Sequence, residues 1–320
     1  MFAAKFDFHP NALGRDLVNA LRLAEASQIA YKKKEDVPRL LKRKWGMDPL
    51  RVRCFDKEDT QAFLVSNEDV IFIAFRGTEF FNLGDWFTDF DLKKEKGPFG
   101  KPVHRGFLNA LNEILPEMTA EAVRLKNERR TLWVTGHSLG GALATLFAAA
   151  LYEKNNWRVN GLYTFGSPRV GHPDFCSSLD PLLPEVSFRF DNDLDIVPMV
   201  PPESWHYAHI KSLCYFKSDG KLMKDGDMIS FAGAVNRKKE KIGSEETALE
   251  KIRKYSPPEP LPKGPKGFGF AAKKPNWLQR VSRFFWKIGA KILRFFKIFQ
   301  PEEIKDHSLE SYIAALKKNL

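Results

Sequence analysis

"RTLWVTGHSLGGALATLFAAALYEK", residues 130–154, passes from an apolar run to an alanine-rich run through a cluster of glycines. Residues 130–136 predict a buried β-strand, because the run is short, apolar and ends at a glycine. Residues 142–154 predict an α-helix whose small side chains allow it to lie close to a sheet. The stretch therefore predicts a strand, a tight turn and a helix in direct succession.

The turn carries the pattern Gly-x-Ser-x-Gly, formed by Gly136, Ser138 and Gly140. Side chains at the two glycine positions would collide with the adjacent strand and helix, whereas the serine hydroxyl points outward. The amide of Leu139 then lies at a helix N-terminus, where it can receive an oxyanion. A small-residue turn that only packs a helix against a strand is the alternative interpretation. The strand–turn–helix context favours a nucleophilic serine.

The rest of the first 236 residues alternates strand and helix patterns. Helices are predicted at 11–31 and 105–127, from apolar residues at helical spacing. Further strands are predicted near 50–55 and at 61–66 and 70–75, with two strand-then-loop units at 159–171 and 185–202. This alternation predicts an α/β fold with a largely parallel sheet and helices on both faces.

Charge is distributed unevenly along the 320 residues, whose formal net charge is +11. Residues 1–236 carry 31 Lys and Arg against 31 Asp and Glu, whereas residues 237–320 carry 20 against 9. The excess therefore indicates an anionic partner for one C-terminal segment, rather than a protein that is basic throughout. Nucleic acid is disfavoured as that partner, because no recognition fold is evident.

The cysteines indicate a reduced compartment. Cys54, Cys176 and Cys214 are odd in number, widely spaced and match no metal-ligand spacing, which favours free thiols of a cytoplasmic protein. The first 16 residues lack an uninterrupted apolar run, so no secretory signal is predicted. We expect neither a metal nor a cofactor.

A nucleophilic serine requires an acid and a base, which on this kind of fold follow it in the order Ser, Asp or Glu, His. Three candidates for the acid follow the last predicted strand: Asp191, Asp193 and Asp195. Three histidines compete for the role of base on chain order: His206, His209 and His307. Of these, His307 lies near the chain end, directly before an apolar helix pattern.

Residues 277–299 are the most strongly patterned part of the C-terminal quarter. At about 100° per residue, cations fall in one narrow sector of a helix, and aromatic and aliphatic side chains fill the opposite face. Five of the six cations lie in this sector, namely Arg280, Arg283, Lys287, Lys291 and Arg294. The apolar face includes Trp277, Phe284, Phe285, Phe295 and Phe296. Such a helix lies in a membrane surface and is attracted to anionic lipid, and a helix packed on the protein body or bound to a partner protein is the alternative.

Six motifs, in the right order, resemble those of the class 3 lipases, the α/β-hydrolase family of the fungal triacylglycerol lipases. They are FRGTE followed by DWFTDFD, then VHRGF, VTGHSLGGALATL, YTFGSPRVG, DLDIVPMVPP and DHSLESYI. The resemblance spans roughly residues 15–235 and 304–318. It implies an α/β-hydrolase fold and hydrolysis of glycerolipid esters through an acyl-serine intermediate, with no cofactor.

The resemblance also implies roles for individual residues. The implied catalytic triad consists of Ser138, Asp195 and His307. Thr78, in FRGT, is implied to supply an oxyanion-hole amide beside that of Leu139. His209 matches a structural histidine of the family. Residues 79–91 are the implied lid, in which Phe80, Phe81, Trp86 and Phe87 form an aromatic cluster that suits a lipid-facing cover, with core packing as the alternative.

These observations predict three segments. Residues 1–236 and 302–320 form the α/β-hydrolase domain, 237–275 a flexible Pro-, Gly- and Lys-rich linker, and 276–301 the basic amphipathic helix. The leading hypothesis is a lipase, peripherally attached to an anionic membrane surface and acting on glycerolipids. The alternatives are a non-catalytic, lipid-binding relative and an acyltransferase that uses the same triad but excludes water at deacylation.

Overall fold

The structure is a computed structural model that describes residues 6–58, 60–77, 93–223, 243–244, 247 and 305–320. Several predictions fall on other residues and lie outside the described part of the chain. These are the oxyanion-hole residue Thr78, the lid with Phe80, Phe81, Trp86 and Phe87, nearly all of the linker, and the basic amphipathic helix 276–301 with Trp277 through Phe296.

A seven-stranded sheet forms the centre of the domain, in the order β1-β2-β3-β6-β7-β8-β9. Its strands are β1 (Val52–Lys57), β2 (Thr60–Ser66), β3 (Val70–Phe75), β6 (Thr131–His137), β7 (Gly161–Phe165), β8 (Ser187–Asn192) and β9 (Leu213–Phe216). The first three strands are antiparallel, and the pairs from β3 to β9 are all parallel. A separate antiparallel pair consists of β4 (Lys94–Lys96) and β5 (Pro102–His104). The predicted mostly parallel sheet is therefore confirmed.

Helices cover both faces of this sheet. The α-helices of the described part are α1 (Leu17–Ala30), α2 (Val37–Trp45), α3 (Arg105–Leu125), α4 (Leu139–Asn155), α5 (Pro173–Leu179) and α6 (Leu309–Lys318). One apolar core lies between the sheet and α3, α4 and α5, and a second lies between the sheet and α1, α2 and α6. Strand β3 is buried along its whole length because its side chains on both faces of the sheet enter an apolar core. This explains its unbroken apolar sequence.

Some element bounds differ from those predicted. Helix α1 begins at Leu17 rather than at residue 11, because the Asp16 side chain accepts a hydrogen bond from the Asn19 amide and caps the helix. Helix α4 begins directly after Ser138, three residues before its predicted start. Helix α2 and strand β9 were not predicted, since each is short.

The parallel register brings several strand ends to one edge of the sheet. Phe75 at the end of β3 is aligned with Gly136 in β6, and His137 at the end of β6 is aligned with Phe165 at the end of β7. The residues that follow these strands therefore meet at the carboxyl edge of the sheet, where such folds place their sites. Among the described residues, no helix is both long and apolar enough to cross a lipid bilayer.

Candidate active site

Ser138 occupies a strained turn between β6 and α4. Its backbone has φ 58° and ψ −131°, a combination that a residue with a side chain rarely adopts. The two flanking glycines make the turn possible. A Cβ atom at Gly136 would lie 2.1 Å from the carbonyl oxygen of Gly140, and one at Gly140 would lie 2.3 Å from that of Phe75. The sharp turn predicted from Gly-x-Ser-x-Gly is thus present.

The surroundings of Ser138 suit a nucleophile. Its amide donates to the carbonyl oxygen of Phe165 at 2.9 Å, which fixes the turn to the end of β7. Its Oγ atom is buried and has no hydrogen-bond partner within the described part of the chain. Leu139 is the first residue of α4, and amides in the first turn of a helix have no acceptor inside the helix. The Leu139 amide is therefore available to stabilise a negative charge beside Oγ.

Asp195 and His307 form a buried pair at the same edge of the sheet. His307 Nδ1 lies 2.9 Å from Asp195 Oδ1 and 3.0 Å from Oδ2, and both side chains are almost completely inaccessible to solvent. A carboxylate only accepts hydrogen bonds, so it holds the proton of His307 on Nδ1. His307 Nε2 is left with the lone pair that a general base requires.

Further donors hold the Asp195 carboxylate. The Val197 amide donates to Oδ1 at 2.9 Å, and the Tyr312 hydroxyl donates to Oδ2 at 2.5 Å. Burial and the neighbouring carboxylates raise the pKa of Tyr312 well above its usual value, so the phenol keeps its proton. Tyr312 was not assigned a role from the sequence, although it lies in the DHSLESYI motif.

The loop that carries Asp195 and the segment that carries His307 are joined by hydrogen bonds. The Leu194 amide donates to the Asp306 carboxylate at 2.9 Å. The Asn192 side chain donates to the Asp306 carbonyl oxygen at 3.1 Å, and the backbone amide of Asn192 donates to the Tyr312 hydroxyl at 3.0 Å. Residues more than 100 positions apart are thus held next to one another by three hydrogen bonds.

Gly166 connects this pair to the nucleophile. It directly follows Phe165, whose carbonyl oxygen holds the Ser138 amide. A Cβ atom at Gly166 would lie 2.5 Å from Asp195 Oδ2 and 2.9 Å from His307 Nδ1. The absence of a side chain at this position lets the acid and base pack directly against the strand end that supports Ser138.

The other candidates from the sequence have different partners. Asp191 forms a buried ion pair with Arg189 at 2.5 Å, and Asp193 accepts from the Tyr215 hydroxyl at 2.9 Å. His209 donates from Nε2 to the Pro198 carbonyl oxygen at 2.7 Å and thereby holds the loop after Asp195, while His206 is exposed. Of these acids, Asp195 is the one that the structure brings to a histidine. In the described ranges, no three His, Cys, Asp or Glu side chains form a group that could hold a metal.

This arrangement defines a class of protein. A strained serine between a parallel strand and a helix, next to a carboxylate that follows a later strand and a histidine further along the chain, is the architecture of the α/β-hydrolases. The family model of the class 3 lipases matches residues 72–205, which include the turn at Ser138 and the loop that carries Asp195. This part of the chain is therefore similar to the class 3 lipases.

Individual relatives agree with this assignment. The lipase of Rhizomucor miehei is 34% identical over 161 residues, which are 47% of this chain and 43% of the relative. Secreted mono- and diacylglycerol lipase 1 of Fusarium solani is 36% identical over 159 residues, which are 48% and 46% of the two chains. The chain thus spans a little under half the length of these curated relatives.

A solved structure shows the same fold. It is described as a triacylglycerol lipase whose catalytic centre is formed by a serine-protease triad. Its TM-score is 0.52 at 28% sequence identity, over 62% of this chain and 80% of that one. The α/β-hydrolase fold implied by the sequence motifs is confirmed.

Proposed function

We propose that this protein is a lipase, a serine ester hydrolase that cleaves the ester bonds of glycerolipids. The observation that carries the proposal is the buried Asp195–His307 pair packed against the strand end that holds the strained Ser138 turn. Strain at one serine and burial of an oriented acid–base pair both cost stability, and neither is needed to pack a helix on a sheet. A lipid-binding module without activity would have no use for them.

The mechanism follows from the donor and acceptor roles of these groups. His307 Nε2 takes the proton from Ser138 Oγ while Oγ attacks the ester carbonyl carbon, and Asp195 stabilises the imidazolium that forms. The Leu139 amide, with the amide of Thr78 as the proposed second donor, binds the oxyanion. The imidazolium then protonates the leaving alcohol. Water, deprotonated by His307, releases the fatty acid from the acyl-serine.

Glycerolipids are the proposed substrate class because of the relatives. The Fusarium solani relative is named a mono- and diacylglycerol lipase, and the solved structure is described as a triacylglycerol lipase. We propose the same ester chemistry for this chain. A soluble test ester such as p-nitrophenyl butyrate reports the chemical step, and an acylglycerol dispersed in mixed vesicles reports lipid hydrolysis.

The test compares the wild-type protein with two serine variants in the full chain. Ser138→Ala removes the proposed nucleophile, and Ser178→Ala removes an exposed helical hydroxyl of α5 whose partner is the Asp174 carbonyl oxygen. We expect fatty-acid release from the wild type and from Ser178→Ala, and a loss of at least 1,000-fold in Ser138→Ala. Equal rates in all three proteins would refute the proposal. Transfer of the acyl group to an added alcohol in place of release would identify an acyltransferase.

We also propose that the basic amphipathic helix 276–301 attaches the enzyme peripherally to an anionic membrane surface. The support is its sequence pattern, together with the ten basic residues and no acidic residue within 260–301. The segment ends a few positions before His307, so binding would bring the active site to its lipid substrate. Deletion of 237–300 is expected to reduce binding to vesicles that contain phosphatidylglycerol at least tenfold, without effect on neutral vesicles. Undiminished binding would contradict the proposal, as would equal loss on both vesicle types.

A further inference from the structure

Buried His137 and half-buried Tyr31 form a hydrogen-bonded chain that ends on the backbone of His307. His137 directly precedes Ser138, and Tyr31 caps the C-terminus of α1. The Tyr31 hydroxyl lies 2.9 Å from His137 Nδ1, and His137 Nε2 lies 2.6 Å from the carbonyl oxygen of His307. The two imidazole rings also pack together, with their centroids 4.5 Å apart and an interplanar angle of 32°.

Chemistry fixes the direction of both hydrogen bonds. Burial lowers the pKa of His137 to about 3, so its ring is neutral and carries one proton. The His307 carbonyl oxygen can only accept, so this proton is on His137 Nε2. His137 Nδ1 is then an acceptor, and the Tyr31 hydroxyl must be its donor. The chain therefore runs from Tyr31 through His137 to the main chain of His307.

The same tyrosine lies against the segment that leads to the proposed oxyanion hole. A Cβ atom at Gly77 would lie 2.4 Å from the Tyr31 hydroxyl, 2.5 Å from the His137 carbonyl oxygen and 3.2 Å from Ser138 Cβ. The guanidinium of Arg76 lies 5.8 Å from the centre of the Tyr31 ring. Tyr31 and His137 thus contact the main chain beside the nucleophile as well as the main chain of the base.

We propose that His137 and Tyr31 are positioning residues. They hold the main chain of His307 where its imidazole Nε2 can take the proton from Ser138 Oγ. His307 lies two residues before the first turn of α6. The Asp195 carboxylate orients the ring of His307, whereas the His137 donor fixes the carbonyl group behind that ring. A displacement of about 1 Å at a reacting group lowers a rate by roughly 100-fold. This inference rests on the proposed ester hydrolysis.

Two amide substitutions separate the two hydrogen bonds of His137. The side-chain amide of Gln reaches the position of imidazole Nε2, so His137→Gln keeps a donor for the His307 carbonyl oxygen. The shorter Asn reaches the position of Nδ1, so His137→Asn keeps a group near Tyr31 and loses the donor to His307. Both replace a neutral ring by a neutral amide, which leaves the charge beside His307 unchanged.

The measurement is kcat and KM for p-nitrophenyl butyrate over a range of pH, with the melting temperature of each variant. We expect His137→Gln to keep at least a third of kcat, and His137→Asn to lose 30- to 100-fold with KM within twofold. In the pH profile of His137→Asn, we expect the plateau value of kcat to fall and the pH midpoint of the acid limb to stay in place. The reason is that the substitution alters the position of His307 and not its protonation. Tyr31→Phe is expected to lose about fivefold, and Tyr31→Phe combined with His137→Asn no more than His137→Asn alone.

Tyr163→Phe is the control for loss of a phenol hydroxyl that contacts α1 but not the base. The Tyr163 hydroxyl accepts from the Asp16 amide at the start of α1 and does not contact the base. It is expected to lower the melting temperature and to leave kcat within twofold. Equal losses in His137→Gln and His137→Asn, additive losses in the double variant, or kcat values that follow the melting temperature would overturn the inference. A wild-type protein without Ser138-dependent activity would instead refute the proposed function, and the inference with it.

Discussion

Replacement of Gly166 by alanine tests how tightly the acid–base pair is packed against the strand that supports the nucleophile. The added Cβ atom would lie 2.5 Å from Asp195 Oδ2 and 2.9 Å from His307 Nδ1. Ordinary contacts begin near 3.4 Å, so the carboxylate must retreat by about 0.9 Å. It cannot do so freely, because Tyr312, Val197 and His307 all hold it by hydrogen bonds.

The displacement sets the expected magnitude. A shift of about 1 Å between reacting groups costs roughly 100-fold in rate, so kcat for p-nitrophenyl butyrate is expected to fall 100-fold or more. Gly166 also has a positive φ of 55°, and alanine in such a conformation costs about 1–2 kcal/mol of folding stability. The melting temperature is therefore expected to fall by only a few degrees.

Gly220→Ala separates the two effects. Gly220 has a similar positive φ of 75°, but among the described residues an added Cβ atom there would meet only Lys318 Cδ at 3.5 Å and Ala315 Cα at 4.0 Å, and neither Asp195 nor His307. Both variants should lose the stability that the backbone conformation costs, Gly166→Ala should lose more because of its clash, and only Gly166→Ala should lose activity. Retention of more than a third of kcat in Gly166→Ala, or an equal loss of kcat in Gly220→Ala, would refute the packing argument.

Three further predictions follow from contacts near the site. Tyr312→Phe removes the 2.5 Å donor to Asp195 and should lower kcat about tenfold, since a hydrogen bond to a charged group is worth roughly 1.5–3 kcal/mol; a kcat within twofold of the wild type would contradict this. His209→Ala removes the bond to Pro198 and should lower the free energy of unfolding by about 1 kcal/mol in urea titrations, with far less loss of kcat than His307→Ala. Burial lowers the pKa of His104 to about 3, so the unfolded chain binds a proton below pH 6.5 that the folded chain refuses, and stability falls as pH falls from 6.5 to about 3. His104→Asn, which keeps a side chain able to cap α3, should make that fall shallower by about 1.4 kcal/mol per pH unit between pH 6 and pH 4; an unchanged slope would show that His104 is not the titrating group.

The part of the site that is encoded locally could be predicted from the sequence. Ser138 and its flanking glycines lie within five consecutive residues, and their steric requirements concern the strand and helix next to them. Strands β3 and β6 could be predicted equally directly from their apolar runs, because both faces of these strands are buried. Such constraints act over short stretches of chain and therefore appear in the sequence itself.

The choice of partners for Ser138 could not be made from residue types and chain order alone. Asp191, Asp193 and Asp195 lie within five residues, and their environments differ only in the fold, where one pairs with Arg189, one with Tyr215 and one with His307. The family resemblance named Asp195 and His307. Tyr312 was missed because its contact with Asp195 spans 117 residues and a tyrosine at helical spacing is otherwise a core residue. Gly166 was missed because its lack of a side chain is required by Asp195 and His307, which lie 29 and 141 positions further along the chain.

The most direct test of the account is covalent trapping of the nucleophile. The 320-residue chain is treated with an alkyl p-nitrophenyl phosphonate, which forms a stable adduct with an activated serine, and the modified residue is located by peptide mass spectrometry. We predict one adduct per chain, on Ser138, with a rate that falls at least 100-fold in His307→Ala and in Asp195→Ala. An adduct on another residue, or an adduct on Ser138 that forms equally fast without His307, would contradict the assignment of this site.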